Sequence, residues 1–411
     1  MIIILLFILG AAGSAVRKPV TQGFDEVAHV SYVAYLQTVH PRWPQLEQMR
    51  LLDPVTFKFT AEANYLNHPP FYYWLIAALG PEVREQPASL IYRRLLNVAI
   101  GAIGLIGLLA LATRMELQGL EFYAFAVATA SAPVLVALAG SVNNDNLGFA
   151  GGAFTILGAY EYVASQRRSW LIISCCGMMI AAASKLTGLM LSGGFLAGLL
   201  VLMTMKRPAN KIDIAIVAVS LIAAAAPYIV FALQYGSPAP NTPAQIDLLR
   251  NGANVAGWDT EPRMGPVDYT IVFLKKFLLE WMPSLRPRSS LQQALVIFPA
   301  VTVVLAAPGA MLSLRSFLTG RSGNSDPIVL AGMLATIATL AIHIMFSYQR
   351  HLQTGWMMDT YPRYYLPVIA IIPMAAITFA NAIQSSRART GILSFLIAGS
   401  LMFGVFGAPI D

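Results

Sequence analysis

A chain made of so many long apolar runs can satisfy its backbone in lipid only as a bundle of helices, and this feature sets the fold class. Runs long enough to cross a bilayer, which takes roughly 17–25 residues, fall near 92–113, 119–140, 147–164, 169–184, 186–204, 212–234, 291–314, 327–347, 364–383 and 391–408. Residues 2–16 add another. They lack a basic leader and are read as a retained first span, although Gly13-Ser14-Ala15 would serve as a cleavage site. The expectation is an all-α polytopic membrane protein in one domain, with about eleven transmembrane helices. Alternating dyads of the barrel type are absent.

Composition agrees. Of 411 residues, 57% are hydrophobic and only 11% charged, where soluble domains carry about a quarter. The net charge of +7 comes without any Lys/Arg-rich run, so nucleic acid is not an expected partner and membrane lipids are. Cys175 and Cys176, the only cysteines, are neighbours in an apolar run, which excludes a disulfide framework and a cysteine zinc site.

Loop charges orient the bundle. One set of short loops holds Arg114, Arg167, Arg168, Lys206, Arg207, Lys211, Arg315, Arg321, Arg387 and Arg389, whereas the opposite set holds Lys185, Arg350 and Arg363. Basic loops stay cytoplasmic, so the N-terminus is expected inside the plasma (bacterial inner) membrane. The two long loops, about 17–91 and about 235–290, then face the outside. Phe71–Leu79 lies between Pro69-Pro70 and Gly80-Pro81 and is too short to span. It is expected as a helix lying at the outer interface, with Asp25–His40 as a second.

Charged side chains are costly beside lipid, which makes each a functional-site hypothesis. By this topology the outer face gathers Asp25, Glu26, His29, His68, Arg93, Arg94, Asn143-Asn144-Asp145-Asn146, Lys185, Tyr361, Arg363 and Tyr364, and ionisable groups are nearly absent at mid-span. A carboxylate can take a proton from an acceptor hydroxyl, and Arg and Lys can hold a phosphate. Structural alternatives stand beside each. Asp25 and Glu26 could complement a helix dipole. Arg93, Arg94 and Lys185 could snorkel, Arg363 could anchor an aromatic belt, and Asn143–Asn146 could be a turn. The second outer loop has the polar and aromatic mix that sugars favour, but no residue there is singled out.

Five blocks in order resemble the GT-C superfamily of polyprenyl-phosphate-sugar-dependent glycosyltransferases, which includes protein O-mannosyltransferases and lipid A aminoarabinose transferases. They are Phe24-Asp25-Glu26 with His29, Asn67-His68-Pro69-Pro70-Phe71-Tyr72-Tyr73-Trp74, Arg93-Arg94-Leu95-Leu96-Asn97, Asn144-Asp145-Asn146, and Pro362-Arg363-Tyr364-Tyr365-Leu366-Pro367. The resemblance implies a GT-C-like bundle and an inverting transfer. A sugar would pass from a polyprenyl-phosphate donor to a hydroxyl of a lipid, glycan or protein on the outer face. It implies Asp25 as catalytic base, with Glu26 as its catalytic partner. Substrate would be held by His68, Arg93, Arg94, Asn144, Asp145, Lys185, Tyr361, Arg363 and Tyr364. No cofactor is firmly implied; if a divalent metal takes part, Glu26 and His29 are its candidate ligands. The chain departs from the aminoarabinose transferases in having His68 for lysine and a shorter C-terminal region. Rival readings are a transporter or lipid flippase, a non-catalytic scaffold, and a polysaccharide ligase or polymerase using a diphosphate-linked donor.

Overall fold

The computed structural model describes residues 1–83, 87–132, 134–206, 210–240, 262–279, 297–355 and 360–406, with positions 246, 247, 250, 251 and 357. Half of the second outer loop expected at 235–290 lies outside these residues. Helices dominate. In order they are α1 (Ile2–Arg17), α2 (Glu26–Val39), α3 (Phe71–Leu79), α4 (Pro87–Arg114), α5 (Gly119–Ala130), α6 (Leu135–Ala139), α7 (Asp145–Ser165) and α8 (Arg168–Ser184). Then come α9 (Leu186–Lys206, with a π turn over Leu189–Gly193), α10 (Lys211–Tyr235), α11 (Pro266–Leu279), α12 (Ile297–Leu318), α13 (Ser325–Thr354), α14 (Ile371–Ala382) and α15 (Ser386–Phe406). Between α2 and α3 a small antiparallel hairpin pairs β1 (Arg50–Leu52) with β2 (Phe59–Ala63).

Among the described residues five helices, α4, α9, α10, α12 and α13, are long and apolar enough to cross a membrane. A sixth span arises if the 3-10 segment Pro362–Val368 and α14, bent by 68°, count as one. The expected eleven are therefore not reproduced. α1, α5 and α8 are apolar but shorter, and the run at 119–140 is divided into α5 and α6, with Val134 at φ 62° between them. The sequence carries Pro133 there, a residue that removes a helical donor and clashes with the preceding turn.

The first outer loop differs from expectation in one respect. α3 is too short to span and leaves Phe71 and Trp74 exposed, as a juxtamembrane helix would. α2 is instead buried almost all round, from Glu26 to Leu36. Tyr32, Tyr35, Leu46, Tyr72, Tyr73 and Ile76 form a core of their own beneath the hairpin. This cap is a packed platform, and α2 is its axis.

Two close approaches position the site. α7 and α8 touch along small residues: a Cβ on Gly151 would lie 2.5 Å from the Ala181 nitrogen, and one on Gly177 would lie 2.5 Å from the Thr155 nitrogen. Such contacts let helix backbones meet where lipid removes any hydrophobic drive. The 3-10 segment leans on α7 equally tightly, since a Cβ on Gly152 would lie 2.1 Å from the Pro367 carbonyl oxygen. Arg363 and Asp145 are brought together by that contact.

The charged groups separate to the two ends of the bundle. Asp145 and Glu161 lie on one helix, about 24 Å apart at helical rise. At the Glu161 end, Arg114 pairs with Glu161 at 3.4 Å, Arg168 with Asp213 at 2.8 Å, and Arg389 with Glu121. At the Asp145 end sits the second cluster.

Candidate active site

Asp25 and Glu26 are adjacent, but a left-handed residue sends them to different places. Asp25 has φ 57° and ψ 23° and precedes the first turn of α2. Glu26 turns inward and is fully buried. The Arg94 guanidinium grips it with two bonds, Nε to Oε1 at 2.8 Å and Nη2 to Oε2 at 2.6 Å, and the Val142 amide donates to Oε1 at 2.8 Å. Arg94 Nη1 donates to the carbonyls of Ala15 at 2.8 Å and Lys18 at 2.6 Å. This fork joins the end of α1, the start of α2, α4 and the turn before α7. Both Glu26 oxygens and all three Arg94 nitrogens are thus engaged by protein groups. Arg93 is also diverted, donating to the Ser89 carbonyl at 2.8 Å and to Gln37 Oε1 at 3.3 Å.

Asp25 faces the other way and meets the late arginine. Its Oδ2 accepts from Arg363 Nη2 and its Oδ1 from the Tyr65 hydroxyl at 3.0 Å. Arg363 Nε lies 3.4 Å from Asp145 Oδ2, and Lys185 Nζ lies 3.2 Å from Asp145 Oδ1. Two acids and two cations from four distant segments thus form one chain, Asp25–Arg363–Asp145–Lys185. Aromatic rings collar the cations. Lys185 Nζ sits 3.4 Å above the centre of the Tyr364 ring, and the Arg363 guanidinium carbon lies 5.2 Å from Tyr361, 5.3 Å from Phe24 and 5.7 Å from Tyr364. Such contacts hold a desolvated cation without neutralising it. Tyr361, at φ 42° and ψ 64°, is a second left-handed residue beside the first; strain of this kind clusters at functional sites.

Behind the acids, Asn143 fixes the histidines. Its Nδ2 donates to the Phe24 carbonyl at 2.7 Å, and its Oδ1 accepts the Asp145 amide at 2.8 Å. The amide orientation being set, the contact to His29 Nε2 at 3.1 Å makes that nitrogen an acceptor. His29 therefore carries its proton on Nδ1 and gives it to the Tyr73 hydroxyl at 2.9 Å. His68 lies over His29, ring centres 6.2 Å apart, with its carbonyl held by Tyr32 at 3.1 Å. Asn144 donates to the Ser184 carbonyl at 2.6 Å, which anchors the end of α8 next to Lys185.

The charges set the protonation states. Burial pushes the Asp25 carboxyl up, but the Arg363 charge and hydrogen bond, with help from Tyr65 and Lys185, leave it below its ordinary 3.8. Burial holds His29 and His68 well below 6.5, and the Lys185 and Arg363 charges add to it. His68, which the resemblance places among the substrate-holding residues, is thus a neutral imidazole, and the cations of the cluster are Lys185 and Arg363. Tyr65, raised by burial and then by Asp25, stays a protonated donor.

Glu26 and His29, the candidate metal ligands, both have protein partners. Both Glu26 oxygens and both His29 nitrogens are taken by protein groups, and among the described residues no three His, Cys, Asp or Glu side chains converge as a metal site would require.

Sequence reasoning passed over two contributors. Tyr65 flanks Asp25 but looks like an ordinary loop aromatic. His343, inside α13, contacts the Tyr365 hydroxyl through Nδ1 at 3.3 Å and stacks near Tyr364 at 5.8 Å. Its signal was present: a lone ionisable residue within an apolar span marks a functional position.

No protein-family model matches the sequence, and no curated protein sequence matches it. Solved structures do. ArnT from Cupriavidus metallidurans bound to undecaprenyl phosphate superposes with a TM-score of 0.52 at 15% identity, over 94% of this chain and 61% of that one. The chain shares the ArnT fold. The helical bundle expected from the five blocks is thus found with the fold of ArnT. The chain spans 61% of the length of that ArnT structure. Against ArnT in the apo state the TM-score is 0.36 at 15% identity, over 88% of this chain and 84% of that one, a superposition too loose to argue from.

Proposed function

We propose that this chain is an inverting glycosyltransferase that moves a sugar from a polyprenyl-phosphate donor to a hydroxyl acceptor at the extracytoplasmic face. The single observation that carries this is the Asp25–Arg363–Asp145–Lys185 chain at one end of an apolar bundle. The likeness to ArnT, solved with undecaprenyl phosphate, supports the donor class.

In this reading the donor phosphate takes up Arg363 and Lys185, sharing them with Asp145. The acceptor oxygen attacks the anomeric carbon, the bond from that carbon to the phosphate oxygen breaks, and polyprenyl phosphate leaves with the bonding pair. The acceptor proton passes to Asp25. A carboxylate whose affinity for protons is lowered is a weak base, which suffices where the proton transfers late and the leaving phosphate needs no acid. Positioning and charge clamping then supply most of the acceleration. Tyr65 would keep Asp25 aimed, and the neutral His68 would shape the wall.

Charge count favours this donor over the diphosphate rival. Two acids already balance two cations within the chain, so a monoanionic phosphodiester fits better than a diphosphate carrying more charge.

The test is transfer of labelled sugar from polyprenyl phosphate by purified protein. Asp25→Asn is expected to keep its thermal unfolding profile and lose at least about 100-fold in rate, the scale of a general base. A rate equal to the parent's overturns the assignment.

A further inference from the structure

One buried amide stands between the two acids without touching a carboxylate. Asn143 is fully buried. Its side chain spends both N–H groups and one lone pair on Phe24, His29 and Asp145. The Phe24 carbonyl belongs to the peptide that enters Asp25, and the Asp145 amide belongs to the other acid. Asp25 Oδ2 and Asp145 Oδ2 both address Arg363. The separation of the two carboxylates across that guanidinium therefore runs through two hydrogen bonds of one side chain, with a third to His29 fixing its orientation. Asp25 also holds a left-handed backbone, which is uncommon outside glycine and needs outside support.

We infer that Asn143 is a positioning residue that spaces Asp25 from Asp145 across Arg363 and so sets how strongly Asp25 accepts a proton. The inference rests on Asp25 being the base of the proposed transfer. The groups that face Asp25 are Arg363 from the 3-10 segment, Tyr65 from the irregular segment after β2, Lys185 from the break between α8 and α9, and His68 from the turn before α3. Asn143 contributes no charge to this set. Losing it lets the Phe24–Asp25 peptide drift from Arg363, and a carboxylate that loses a cation partner titrates higher.

Two readouts keep this inference separable from the proposed activity. Infrared titration of the full chain in detergent, as a difference between parent and Asp25→Asn, isolates the Asp25 carboxyl band without any turnover. In an Asn143→Ala background that band is expected to titrate about one pH unit higher. In the transfer assay Asn143→Ala is expected to lower kcat about 10- to 100-fold, the cost of misplacing a reacting group by about 1 Å, with donor KM within about threefold. Asn143→Ser, which keeps one donor and one acceptor, is expected to recover part of both. Should alanine fail to fold, Asn143→Leu is nearly the same size, lacks the donors and adds no charge, and it carries the same expectations.

If the parent transfers no sugar from any polyprenyl phosphate, the functional proposal falls while the infrared shift still decides the role of Asn143. An unmoved band, with kcat intact or with the loss confined to KM, overturns the positioning role.

Discussion

Two carboxylates one residue apart have opposite fates here, and their mutants should part accordingly. Glu26→Gln leaves the buried Arg94 short of its counter-charge, and removing one partner of a buried pair costs about 3–5 kcal/mol. Its melting temperature should fall well below that of Asp25→Asn, whose carboxylate is one-third exposed. The early acid pair was legible in the sequence, because charge is scarce in this chain. The division of labour was not, since it depends on one left-handed turn. His29 adds a pH signature. Its folded value is depressed below 6.5 by burial first and by Lys185 and Arg363 next, so the unfolded chain takes up a proton that the folded one refuses. Stability is then complete above about pH 6.5 and is lost as pH falls toward the folded value. Thermal unfolding in detergent should show a drop between about pH 7 and pH 5, shallower in His29→Gln.

Elements carry the geometry that side-chain types alone do not. The 3-10 segment reaches the site because α7 offers no side chain at Gly152. Gly152→Ala should force Pro367 away, shift Arg363, and cut transfer more than about tenfold, whereas Gly391→Ala on α15, with open space around it, should leave the rate unchanged. Parallel assays of the two variants check this. Long apolar runs announced α4, α9, α10, α12 and α13 clearly. The division of 119–140 was signalled by Pro133, which a count of apolar residues overlooks. The depth of α2 was hidden for another reason. Its apolar stripe of Val27, Val30, Val33, Ala34 and Leu36 reads the same whether lipid or a tyrosine-rich cap covers it.

At the scale of the whole molecule, the two charged ends make orientation measurable. With Cys175 and Cys176 replaced by alanine, a single cysteine at the exposed Glu62 of β2 should react with an impermeant maleimide on intact cells. One at Thr319, beyond α12, should react only after permeabilisation. The reverse pattern would put the cluster on the cytoplasmic side. The contact between Asp25 and Arg363 spans 338 positions, and the bond from Val142 to Glu26 spans 116. A nascent chain emerging from the ribosome can therefore pair Glu26 with Arg94 early, but lacks its Val142 amide until residue 142 has been made. It cannot close the contact between Asp25 and Arg363 until residue 363 arrives. A chain stopped short of residue 363 therefore carries Asp25, Asp145 and Lys185 without the guanidinium that links the two acids.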